Sequence, residues 1–375
     1  MSLRPFTLER FFARHEFSAR YLLCASDCES MSVDELVSLE QGGAEALREL
    51  QLGYTESQGK PSLRLEVSKL YTGIALDQIL IHGGAEEAIY VFAHALLSPG
   101  DDIVVQQPCY QSLGEVARSI GCRVIPWQMD YGTTWSLDPD ALIHLVTPAT
   151  RAIVMNSPHN PTGHHVTEEV LGAVARIAAS RGITLFCDEV YRGLEYSEAD
   201  RLPAACDLSE TAVSLGVMSK TYGLPGLRIG WVATRDHRLL ARMAEVKDYT
   251  SICAAGPSEI LAEIALRHGE QIADRNRRII ADNLAVLDPF FARFAEMFVW
   301  DRPMAGPIAF PRLRVGSVER FCDTLVRDSG VLLLPGTVYA DETNRFRIGF
   351  GRRNMTLAVE RLTEYLRIQP PRDEP

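Results

Sequence analysis

Apolar residues fall in short unbroken runs through the middle of the chain. Ala152-Ile153-Val154-Met155 and Ile183-Thr184-Leu185-Phe186 are apolar or β-branched at consecutive positions rather than alternating ones. That pattern marks strands covered on both faces, and so a mainly parallel sheet between helices. Strands are predicted at 79–82, 103–106, 123–127, 152–156, 183–188, 212–218 and 229–233, with helices between them at 86–97, 112–119, 167–180 and 238–247. The fold class is therefore α/β. After Pro257 the texture changes to a long helical stretch, 259 to about 294, then short strands at 308–313, 331–334 and 346–350 mixed with two helices. This predicts a smaller α+β domain formed by 256–375. The first fifty or so residues lack the strand–helix alternation and are assigned to it, leaving 50–255 as the large domain.

A chain of 375 residues exceeds what one simple core holds, which fits two domains. The formal charge of −11 argues against a nucleic-acid binder, since phosphates need a basic face. It leaves room for a small anionic ligand held by one or two local cations. The apolar runs, such as 331–334, are too short to span a bilayer, and no secretory leader is visible; a cytoplasmic protein is expected. Eight cysteines (Cys24, Cys28, Cys109, Cys122, Cys187, Cys206, Cys253, Cys322) are scattered without a Cys-x-x-Cys, so no metal site is expected and the thiols read as reduced. The tail from Gln369 is expected to be loose.

Three segments carry candidate chemistry. Ser219-Lys220-Thr221-Tyr222-Gly223 places an amine after an apolar strand, at the edge of the sheet where α/β folds bind ligands. Asn156-Ser157-Pro158-His159-Asn160-Pro161-Thr162-Gly163 holds two prolines in a rigid turn. Cys187-Asp188-Glu189-Val190-Tyr191 ends a buried strand with an acid, which is costly without a cationic partner.

In their order along the chain these segments resemble the class I/II aminotransferases of fold type I, enzymes dependent on pyridoxal 5′-phosphate (PLP). The resemblance implies that Lys220 carries the cofactor as a Schiff base and moves protons. It also implies that Asp188 keeps the pyridine nitrogen protonated, that Asn160 and Tyr191 bond the phenolic oxygen, and that Tyr110 stacks on the ring. Gly84, Ala85 and Glu86 open a helix whose backbone N–H groups suit the phosphate, with Arg228 and Ser219 beside them. Tyr54 matches a tyrosine that reaches the phosphate of a neighbouring subunit, which implies a homodimer. Arg347 matches the arginine that grips the substrate α-carboxylate, and Arg345, two residues away, is its competitor.

Two departures qualify the match. Val217 stands where many relatives have a phosphate-binding hydroxyl. Cys24-Ala25-Ser26-Asp27-Cys28 replaces a glycine turn, and the combination is similar to capreomycidine synthases, which cyclise a hydroxylated arginine. The leading reading is amino-group transfer from an amino acid to a 2-oxo acid. Alternatives are elimination, replacement or cyclisation of a basic amino acid at the same carbanion, and a regulatory domain that binds the cofactor without turnover. In an extended segment Asp27 and Glu29 share a face. They either attract a cationic substrate side chain or point to solvent. His164 and His165 read as loop histidines, and His159 is assigned no role.

Overall fold

The computed structural model describes residues 2–132 and 134–372; the last residues of the expected loose tail, 373–375, lie outside them. Helix α1 (Thr7–His15) opens the chain. Seven strands then form one sheet: β1 (Ile79–His82), β2 (Asp102–Gln107), β3 (Arg123–Gln128), β4 (Thr150–Asn156), β5 (Thr184–Asp188), β6 (Ala212–Val217) and β7 (Gly230–Thr234). Their spatial order is β1-β7-β6-β5-β4-β2-β3. The strands from β2 to β6 pair in parallel, and β7 runs antiparallel to both β6 and β1. The sheet is thus mixed but mainly parallel. Every residue of β1, β4 to β7 except Arg151 is buried, as unbroken apolar runs require. Pro126, which cannot donate to a ladder, lies on the edge strand β3.

Helices α2 (Ala85–Leu96), α3 (Ser112–Ile120), α4 (Glu168–Ser180) and α5 (His237–Lys247) fill the crossovers. Side chains cap two of them: Thr167 accepts from the Val170 N–H, and Asp236 from Arg238 and Leu239. Helix α2 starts at Gly84 without a side-chain cap, so its first N–H groups remain available.

Two expected elements divide. The stretch from 259 to 294 is two helices, α6 (Gly256–Arg267) and α7 (Gly269–Arg293), separated at His268. Gly269 sits where a Cβ would lie 3.2 Å from the Tyr222 ring. The run 331–334 is shared between two small sheets. Val331–Leu332 pairs in parallel with Tyr21–Leu22, while Leu334–Pro335 pairs with Phe346 and Arg347 of the strand Phe346–Gly349. The N-terminal segment therefore lies against the C-terminal one. All eight cysteines are free thiols.

Candidate active site

The sheet gathers the candidate residues at one edge. β4 ends in Asn156 and leads into the proline turn, β5 ends in Asp188, and β6 ends at Val217, three residues before Lys220. Because β7 runs the other way, its start lies at this same edge and carries Arg228 there. A cavity of about 400 Å³ opens here, lined by Ala85, Glu86, Tyr110, Asn160, Asp188, Tyr191, Ser219, Lys220, Arg228 and Arg347 among others. Ten of the sequence-predicted residues thus meet in one space. Gly84 does not line it but makes it possible. At φ 97° a Cβ there would lie 2.5 Å from Arg228 Nη2, so glycine lets the guanidinium approach the start of α2. Tyr54 is not at this cavity, and its side chain is 91% exposed.

The electrostatics follow from enclosure. Burial lifts the Asp188 carboxyl to about 6, opposed by the Val190 N–H and by Lys220. Burial lowers the Lys220 ammonium, opposed by Asp27. It pushes the Tyr191 phenol up, and that hydroxyl has no hydrogen-bond partner. Glu86 was expected to serve through its backbone; its side chain also reaches the cavity, accepting from Ser112 Oγ at 3.2 Å, and burial moves it to about 7.

The proline turn is fastened from within. The Asn156 side chain donates to the Asp188 carbonyl at 2.8 Å and accepts from the Asn160 N–H. His159 bonds the Pro108 carbonyl and Thr162 Oγ1, both at 2.8 Å. A carbonyl can only accept, so His159 Nε2 carries the proton, and burial keeps the ring neutral with its pKa near 3. His159 is thus a fastener of this turn. His164 is buried, with Asp301 3.3 Å away, so it is a packed residue rather than a solvated one.

Of the two arginines, Arg347 reaches the cavity. Its Nε and Nη2 donate to the Cys24 carbonyl at 3.1 and 2.8 Å, and Nη1 donates to Asn160 Oδ1 at 3.2 Å and to the Tyr339 hydroxyl. Arg345 turns elsewhere, stacking over Tyr131 and Trp135 at 4.0 and 4.7 Å and donating to the Phe310 carbonyl.

The expected acid pair does not hold together. Asp27 lines the cavity and accepts from Arg352 Nη2 at 2.8 Å. Glu29 does not line it; one of its oxygens accepts from the Arg353 N–H at 2.9 Å, because the chain turns away after Cys28. Sequence reasoning missed the acids that do face the cavity, Glu9 and Glu16 at the two ends of α1. Their seven-residue spacing, with Phe12 between, puts them on one helix face and was the available signal. Ser26 was also missed.

The chain matches the family Aminotransferase class I and II over residues 22–362. It is 28% identical to capreomycidine synthase of Streptomyces vinaceus over 92% of this chain and 88% of that one. Among solved structures, a PLP-dependent aminotransferase from Streptococcus suis superposes with TM-score 0.92 at 33% identity, covering 98% of this chain and 99% of the other. A PLP-dependent cyclase, OrfR, superposes at 0.90 with 31% identity, covering 98% of each.

The residues present fit that cofactor. A buried carboxylate without a cationic side-chain bond, Asp188, suits a protonated ring nitrogen. The partnerless Tyr191 hydroxyl suits a phenolic oxygen, and the uncapped start of α2 with Arg228 suits a phosphate. Together with a match across nearly its whole length, this makes the chain a PLP-dependent enzyme of fold type I and a member of the class I/II aminotransferase family.

Proposed function

We propose that the protein acts at the α-carbon of an amino acid whose side chain is cationic. One observation carries the reading: Arg347 and the carboxylates Glu9 and Glu16 line one cavity, so it offers a carboxylate grip and an acidic wall together. The other charges have partners or roles, whereas Glu9 has one long contact, from the Tyr110 hydroxyl at 3.4 Å. Arg228 lies beside the uncapped start of α2, Asp188 faces Lys220, and Asp27 is bonded to Arg352. Glu16 is raised by burial and then by repulsion from Asp27 and Glu9, a crowding that a ligand cation relieves.

The bound cofactor supplies the electron sink that lets a bond to the α-carbon break. This chain's residues do the rest. Arg347, its guanidinium braced by the Cys24 carbonyl, Asn160 and Tyr339, meets the α-carboxylate with its charge and its remaining Nη2 N–H. Asp188 keeps the ring nitrogen protonated. Lys220 accepts the α-proton and returns it elsewhere. Released on the cofactor side rather than back at the α-carbon, that proton would leave the amine with the cofactor and so allow amino-group transfer to a 2-oxo acid. A side chain with a leaving group leads to elimination and ring closure, a second reading favoured by the likeness to two cyclising enzymes. Amino-acid and 2-oxo-acid substrates belong to the first reading. We also propose a homodimer in which Tyr54 serves the partner's site.

An amino-donor screen separates these. With arginine, lysine, phenylalanine and glutamate, 2-oxo acid formation and ammonia release are followed in parallel. Basic donors are expected to dominate, and the double variant Glu9→Gln/Glu16→Gln to lower their kcat/KM about 10- to 100-fold while sparing glutamate. A flat or aromatic preference, unmoved by the variant, overturns the basic-substrate reading.

A further inference from the structure

The segment 24–28 is held as a fixed wall rather than as a loop. Gly349, in the strand Phe346–Gly349, lies under it: a Cβ at Gly349 would stand 2.0 Å from the Ala25 carbonyl oxygen and 2.8 Å from the Ala25 nitrogen. A Cβ at Gly351 would stand 2.4 Å from the Asp27 carbonyl oxygen. The Glu29 N–H closes the register on the Gly351 carbonyl at 2.8 Å, and Cys24 is pinned by the two donors of Arg347. Ser26 sits at the centre of this clamp, and Lys220 Nζ donates to its Oγ at 2.8 Å. The Tyr191 hydroxyl lies beside Ser26 as well, and that neighbour works against the upward shift of the phenol.

We infer that Ser26 is a catalytic residue of this enzyme: its hydroxyl holds the Lys220 nitrogen whenever that nitrogen is free to carry a proton, and sets where the proton is delivered. The inference rests on the reading that Lys220 bears the cofactor. A hydroxyl both accepts and donates. It accepts an N–H from the charged amine, as in this structure, and can turn its own proton toward the lone pair of the neutral amine. The wall fixes Oγ relative to Arg347, because only Ala25 separates Ser26 from the carbonyl that Arg347 grips. The group that orients the substrate carboxylate and the group that orients the base are thus set by one stretch of backbone.

The charged and titratable groups around Lys220 are Asp27 and Cys28 on the same wall, Arg347 on its strand, Asp188 at the end of β5, and Tyr191 just after it. Of these only Tyr191 also meets the Ser26 hydroxyl, so Ser26→Ala is made in the Tyr191→Phe background as well, where a remaining shift reports the lost bond to Lys220.

The test uses the holoenzyme at saturating substrate, where the Lys220 nitrogen is released from the cofactor. Exchange of the substrate α-proton for solvent deuterium is measured against pH for the native protein, Ser26→Ala and Ser26→Thr. Losing an acceptor that favours the charged nitrogen should lower the midpoint of this pH profile in Ser26→Ala by about 0.5–1 pH unit. Deuterium exchange should slow about 10- to 100-fold, with KM unchanged. Ser26→Thr, which keeps the hydroxyl, should restore both. A Ser26→Ala midpoint and exchange rate equal to the native values overturn the inference, as does a loss that threonine fails to restore. Borohydride reduction and mass spectrometry of the native protein provide the control. If the cofactor is not trapped on Lys220, the reading beneath falls; if it is trapped and Ser26→Ala is silent, only the role of Ser26 falls.

Discussion

At Asp188 the proposed function and the contribution to stability oppose each other. In the unfolded chain its carboxyl ionises near 3.8, and in the cofactor-free fold near 6. Between these values the folded protein binds the extra proton, so stability falls as pH rises from about 4 to about 6. Asp188→Asn removes that dependence. Without cofactor, native protein and variant should unfold at equal temperatures near pH 4, with the variant the more stable at pH 7. With cofactor the order should reverse at pH 7, because the variant loses the carboxylate opposite the protonated ring nitrogen and binds PLP about 10²-fold more weakly. Thermal unfolding from pH 4 to 7, with and without PLP, measures both. A gap independent of pH would mean that another group, such as Glu189, sets the slope. The sequence made Asp188 legible because an acid closing an apolar strand needs a reason to be there. It did not show the direction of the shift, which depends on how completely the neighbouring segments enclose it.

At the scale of elements, the two walls of the cavity differ in how they were encoded. The turn from Asn156 to Gly163 carries its own fastenings: Asn156 bonds Asn160, and His159 bonds Thr162. A short stretch of sequence suffices to read it. The wall 24–28 is shaped by glycines more than three hundred positions away, so its cysteines and acids gave no hint that Ser26 would meet Lys220. Likewise the sequence predicted no element over residues 7–15, and only the fold sets Glu9 and Glu16 of α1 over the cavity. The clamp makes a prediction of its own. Gly349→Ala should push the wall back, destabilising the protein by about 1–3 kcal/mol and raising KM through the displaced Cys24–Arg347 contact. Alanine at Gly53, where an added Cβ meets nothing within 4 Å, is the matched control. Unfolding temperature and KM unchanged in Gly349→Ala would show that the wall can yield without cost.

At the scale of the whole molecule, the alternation of buried runs and amphipathic helices was enough to place the seven strands and their order of use, because each run is its own signal. The partition of 331–335 between two sheets was not, since pairing partners lie outside any local window. The exposed aromatics point beyond one chain. Tyr54 and Tyr249 are 91% and 93% exposed, and Leu52 is 84% exposed, an unusual cost for large apolar groups in water. In the proposed homodimer each site takes Lys220 from one chain and Tyr54 from the other, which mixing can test. Lys220→Ala chains are expected not to attach the cofactor, and Tyr54→Ala chains to hold its phosphate weakly. In a hybrid of the two, one site has both defects and the other has neither. After mixing and exchange of equal amounts, half the dimers are hybrids with one intact site in two, so roughly a quarter of all sites should recover native cofactor affinity. Titration with PLP should then show a class of native-affinity sites that neither parent shows. If Tyr54 instead served its own chain, every site in the hybrid would carry one defect, and mixing would restore nothing.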